Sequence, residues 1–188
     1  QRQMCIRDRD YVVPTAGETI SLGEAKMTFY GPLENDYQYG RTVDLNTRQE
    51  NKYSIVTKIV YGSNSFLMTG DAQKETIEKI IAKGYDLTAQ VLKEPHHGFQ
   101  DVTEEELANG YQYSDHKTVI DASQASIAII SNGYMNTGGV PYTKVLRDLS
   151  KLDVYETGDR GTIIVTSDGS QLSLIHISEP TRHEAISY

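Results

Sequence analysis

Two β-branched runs joined by a tight turn, then a helix, then another short apolar run: this order constrains the 188-residue chain more than any other feature. Residues 53–61 are β-branched and aromatic, Gly62, Ser63 and Asn64 supply the turn, and residues 65–69 form a second apolar run. β-branched and aromatic side chains suit a pleated surface, and Gly, Ser and Asn suit the turn between strands. Residues 72–83 have helical spacing, with Ile77, Ile80 and Ile81 as an apolar stripe and Gly84 as a C-terminal stop. Residues 89–93 then read as a short strand. A strand pair followed by alternating helix and strand predicts an α/β fold.

The flanks agree with that class. Residues 18–30 predict a hairpin turning near Gly23, with Ile20, Leu22, Met27 and Phe29 at alternating positions. Residues 31–50 are polar and aperiodic and read as a long loop, in which Tyr37 and Tyr39 are ordinary anchors or part of a binding face. A short helix is expected at 103–109, where Thr103 and Glu106 form a capping-box pattern. A buried strand is expected at 126–131, a helix at 142–151, and a last strand at 162–166 before the turn Ser167-Asp168-Gly169. No internal repeat appears. Residues 1–9 and 172–188 lack the periodicity of the middle and resemble translated sequencing-adaptor strings. Both are set apart as non-native segments, which removes Cys5, His176 and His183 from functional consideration.

Composition narrows the chemistry. The formal net charge of −8 argues against a broad basic surface for nucleic acid, although bound divalent metal can supply positive charge locally. The single cysteine excludes an internal disulfide and a Cys-rich zinc site, so any metal must be held by His, Asp and Glu. No apolar run approaches the ~20 residues needed to span a bilayer. The compartment is not indicated.

Two segments carry the candidate chemistry, and each directly follows an expected strand. One is Thr69-Gly70-Asp71; the other is Glu94-Pro95-His96-His97-Gly98. Strand ends favour function because a rigid sheet fixes a group that the loop exposes. A carboxylate and two imidazoles that converge there offer N and O ligands to a metal ion. Taken singly, each has an ordinary reading: Asp71 as the N-cap of the following helix, and the histidines as solvated loop side chains. Together they are more persuasive, because one β-α-β unit separates them and brings them to neighbouring strand ends. His116, in a polar stretch, is expected at the surface, and Lys93 is expected to be a solvated strand end.

The order of these motifs resembles the metallo-β-lactamase-fold hydrolases. The resemblance rests on YSIVTKIVYGSNSFLMTGDA, QVLKEPHHGF, AIISNGYMNTGGVPYTKVLRDL and GTIIVTSDG, and covers roughly residues 53–169. It most resembles the domain attached to competence DNA-uptake proteins of the ComEC type, and the free-standing relatives of that domain. It implies that residues 10–171 are the C-terminal half of an αββα sandwich, with a mixed sheet and flanking helices. Asp71 matches the acidic ligand that bridges two divalent ions, zinc by preference, and His97 matches a late histidine ligand. Asp71 and His97 are thereby the implied catalytic and metal-binding residues. His96 is assigned to the substrate, although the motif permits the two histidines to exchange roles. Asn51 and Ser54 match a structural pattern in the floor of the site.

Two departures qualify the resemblance. The family's His-x-His-x-Asp-His segment is absent, so the chain alone is expected to be inactive. Val140 stands where relatives commonly carry a histidine. The implied function is therefore a fragment of a metal-dependent hydrolase acting on a small-molecule or phosphoester substrate. The competing readings are a non-catalytic binding or scaffold domain, favoured by Val140, and a DNA-uptake role with a nucleic-acid partner, which rests on family analogy. Half a sandwich leaves an apolar sheet face uncovered, so self-association is expected.

Overall fold

A computed structural model describes residues 13–33, 51, 53–99, 116–133 and 139–177. The expectations for residues 1–9, for most of the loop over 31–50 (residues 34–50, with Tyr37 and Tyr39), and for a helix at 103–109 lie outside the described residues. The main body is α/β: a seven-stranded mixed sheet in the order β1 to β7, with flanking helices. The expected N-terminal hairpin is β1 (Thr19–Leu22) and β2 (Ala25–Phe29), and the expected strand pair is β3 (Thr57–Tyr61) and β4 (Asn64–Met68). These four strands pair antiparallel with one another in sequence order. From β4 onward the sheet is parallel, through β5 (Val91–Lys93), β6 (Ile127–Ile130) and β7 (Asp153–Glu156).

The register sorts side chains onto two faces, because successive residues of a strand point to opposite sides. Leu67, Leu92, Ala128 and Val154 are neighbours in one row. They face the helices α1 (Lys74–Ala82), α2 (His116–Ser123) and α3 (Thr143–Asp148). Ile77, Ile80, Val119, Ile120, Val145 and Leu149 complete one core with them. Ile81, expected in the stripe of α1, is instead 39% exposed. The row behind, Met27, Ile59, Phe66, Val91 and Ile127, lies on the other face. Of these only Val91 is fully buried.

Lys58 belongs to the helix-facing row and is 8% exposed. Its ammonium reaches Asp86 at 2.7 Å and also donates to the Asp86 carbonyl and Thr88 Oγ1. These bonds, with those from Thr88, hold the Asp86 carboxyl down from 3.8 to about 2. A carboxyl depressed by folding contributes stability above its unfolded value, and that contribution is lost as pH falls from 3.8 through about 2. Acid unfolding followed by circular dichroism should therefore show a limb in this window that Asp86→Asn flattens. An unchanged limb would remove the assignment.

A separate hairpin, β8 (Thr162–Ser167) and β9 (Leu172–Ile177), docks by its turn. Ser63 N donates to Gly169 O at 2.7 Å, and Ser167 Oγ donates to Asn64 Oδ1 at 2.6 Å. Gly62, at φ 56°, is required there, since a Cβ would lie 2.0 Å from Gly169 O. The segment set apart as a tail thus supplies a paired strand as far as Ile177. A four-residue helix α4 (Thr157–Arg160) joins β7 to this hairpin. Among the described residues, no helix is long and apolar enough to cross a membrane.

Candidate functional site

β4 to β7 run parallel, so their carboxyl ends share one edge of the sheet. In open α/β sheets that edge is where ligands bind. Asp71 stands there just past β4. Thr69 Oγ1 donates to Lys93 O at 2.6 Å, tying the ends of β4 and β5 together. Gly70 then turns the chain at φ 57°, and Asp71 N donates to Ser54 Oγ at 3.1 Å. Asp71 is not the cap of the following helix: Gln73 occupies that position and makes no side-chain cap bond. Its carboxylate is left for other work.

The second segment leaves β5 through a tight 3₁₀ turn, Pro95–Gly98. His96 and His97 both take left-handed backbone conformations, at φ 47° and φ 56°, and Gly98 follows at φ 74°. Non-glycine residues rarely occupy this region, and such strain persists where the surroundings enforce it. A Cβ on Gly98 would sit 2.7 Å from Pro141 Cβ, so only glycine fits beneath the residue that follows Val140. Val140 itself has its carbonyl facing the Asn132 amide at 3.4 Å.

This turn sends the two imidazoles apart. His97 Nδ1 lies 2.5 Å from Ser131 O, just past β6, and its Nε2 lies 3.5 Å from Asp71 Oδ1. Donation from Nδ1 to the carbonyl directs Nε2 toward the carboxylate. His96 instead stacks obliquely on Phe99, centroids 5.0 Å apart, with Nε2 3.4 Å from the Asn51 amide. The structure therefore brings Asp71 and His97 together, and His96 belongs to a neighbouring surface with Asn51.

Lys93 differs from expectation. Its side chain is 18% exposed, donates to Gly70 O at 2.8 Å and lies 3.9 Å from Asp71 Oδ1. Burial pulls its ammonium below the usual lysine range, and Asp71 and Glu94 oppose that. It is a rim cation of the site, not a solvated strand end.

His116 is also not at the surface. It opens α2, is 4% exposed, and sets Nδ1 2.5 Å from Glu94 Oε1 and Nε2 3.0 Å from Phe99 O. Glu94 is completely buried. Burial pushes its carboxyl up, and the hydrogen bond to His116 pulls it back. A sequence signal existed, since consecutive residues Lys93 and Glu94 at a strand end must face opposite ways. A carboxylate turned toward the core requires a partner.

A metal ion can be tested against these donors. Bonds of about 2.0–2.2 Å at a tetrahedral angle place N and O ligands about 3.3–3.5 Å apart. The 3.5 Å between His97 Nε2 and Asp71 Oδ1 meets that requirement. The Nδ1 bond to a backbone carbonyl is also the usual support of a ligating histidine. Two donors are not a complete site, and among the described residues no group of three His, Cys, Asp or Glu is arranged to hold a metal.

No family model matches the chain. Over 116 residues it is 33% identical to ComE operon protein 3 of Bacillus subtilis (strain 168). The match covers 61% of this chain and 13% of that protein, so the chain spans a small part of its relative. This likeness supports a relationship to competence proteins of the ComEC type.

Proposed function

We propose that the chain is part of a metal-dependent hydrolase of the metallo-β-lactamase fold, acting on a phosphoester bond. The observation that carries this reading is the approach of Asp71 Oδ1 to His97 Nε2, at 3.5 Å on the carboxyl edge of the sheet. Asp71 and His97 would hold a divalent ion, zinc by preference, with the remaining ligands supplied by a His-x-His-x-Asp-His segment elsewhere in a longer protein. When bound, such an ion generates a nucleophile from water at neutral pH and polarises the attacked oxygen. Ser131 O fixes the imidazole of His97. Lys93 adds positive charge beside Asp71, where anionic substrate oxygens would be met. His96 and Asn51 flank the rim and would contact the substrate.

The relationship to competence proteins supports DNA uptake as the setting, with a phosphodiester as the bond. A net charge of −8 gives nucleic acid no broad basic surface, so the ion and Lys93 would supply the local positive charge. The decisive observation is the coding sequence upstream of this segment in its source genome. It should encode the His-rich segment, and a genome without one sinks the catalytic reading. If the segment is present and the longer protein carries no stoichiometric metal, Val140 marks a domain that kept the fold and lost the site.

The half-covered sheet face supports the half-sandwich reading. Met27, Phe29, Ile59, Phe66, Ile127 and Ile129 are each only partly buried, and Met68 is 41% exposed. Contiguous apolar surface of this kind drives association. Sedimentation of the isolated chain should show self-association that weakens when Phe66 and Met68 are replaced by Ser and Lys. A concentration-independent monomer would contradict it.

A further inference from the structure

We infer that Glu94 and His116 form a positioning pair that holds the His96-His97-Gly98 turn in its left-handed conformation and so aims His97 at Asp71. Glu94 precedes the Pro95–Gly98 turn that contains these residues, and Phe99 follows it. His116 touches both: Nδ1 meets the Glu94 carboxyl at 2.5 Å and Nε2 meets Phe99 O at 3.0 Å. One imidazole from a different element thus closes the two ends of the turn on each other. Both ring nitrogens face oxygen, so Phe99 O receives the Nε2 proton whichever member of the pair carries the other one. Within the turn, Phe99 N donates to His96 O at 2.7 Å and His96 N donates to Gly70 O at 3.1 Å. The second of these bonds anchors the turn to the Asp71 loop.

The pair is poorly built for stability alone. Glu94 Oε2 is buried without a hydrogen-bond partner among the described residues. A buried charged pair seldom outperforms well-packed apolar side chains of similar size. What apolar side chains could not do is bind Phe99 O and fix the far end of a turn that strained backbone would otherwise leave. Two consecutive non-glycine residues at positive φ need such an external constraint. Neither Glu94 nor His116 reaches the rim itself, so both act through His97.

The functional consequence rests on the proposed metal site, but the test does not. The full chain, labelled with ¹⁵N-histidine, is compared with Glu94→Leu, His116→Phe and the double variant by long-range ¹H–¹⁵N correlation, without metal. His97 is assigned through His97→Asn. In the unaltered chain His97 should show the tautomer with its proton on Nδ1. Each variant should lose that single-tautomer signature, and the double variant should do so while keeping a cooperative thermal transition near that of the unaltered chain. His116→Gln, which can still donate to Phe99 O, should restore part of the signature. A double variant with the unaltered His97 spectrum overturns the inference. So does a double variant that fails to fold, because the pair is then a structural requirement of the core. Neither result depends on whether the longer protein hydrolyses anything, so the two readings fail separately.

Discussion

Replacing His97 by Asn in the longer protein should abolish hydrolysis and remove bound metal while the domain still folds. Asn tolerates left-handed backbone better than most residues, so the turn at φ 56° is retained and only the imidazole is lost. The side chains of His97 and Asp71 are 44% and 39% exposed, so truncating either leaves no core cavity. Asp71→Ala should have the same effect, because the proposed site takes one donor from each of the two residues. An ion acting as a Lewis acid contributes several kcal/mol to the transition state, so the loss should be about 10³-fold or more in kcat/KM. Metal analysis should show the loss beside an unchanged melting temperature. Retained turnover in either variant removes the substituted residue from the site.

Lys93→Met should behave differently. The ammonium lies 3.9 Å from Asp71 and is not one of the proposed metal donors. Metal should remain bound while KM for an anionic substrate rises.

The part of this arrangement that was legible in the sequence lies where local pattern and tertiary position coincide. β3 and β4 declare themselves because β-branched and aromatic residues flank a tight turn, which the structure places at Gly62 and Ser63 with Asn64 already in β4. Asp71 and His97 stand out because each lies in a short segment that follows an apolar strand, and a sheet with short connections leaves such segments on one edge. His116 was hidden. The buried positions of α2 are His116, Val119, Ile120 and Ser123, a helical stripe half of which is polar. With two apolar members the stripe does not announce itself, and a histidine within it reads as solvated until Glu94 is seen opposite. β7 was equally silent: Asp153–Glu156 holds Val154 and Tyr155 between two acids and becomes a strand by pairing in parallel with β6. The divergence of His96 from His97 depends on backbone angles that no adjacency of two histidines specifies.

Helix α1 offers a second measurement, in which neighbouring isoleucines should give opposite results. The sequence stripe contains Ile77, Ile80 and Ile81, and helical spacing alone treats them alike. In the structure Ile80 is 0% exposed and belongs to the core with Leu67 and Leu92, whereas Ile81 is 39% exposed. Ile80→Ala removes buried methyl and methylene groups and leaves a cavity, because the sheet behind it relaxes only in part. Its expected cost is about 2–5 kcal/mol. That is a large share of the roughly 5–15 kcal/mol by which domains are stable, so the variant should unfold at a clearly lower denaturant concentration. Ile81→Ala loses less buried area, and alanine recovers helix propensity that a β-branched residue forgoes, so about 1 kcal/mol or less is expected. Denaturant unfolding of the two variants under identical conditions compares them directly. Equal destabilisation would mean that Ile81 is covered in solution, and the place to look for the cover is the outer face of α1.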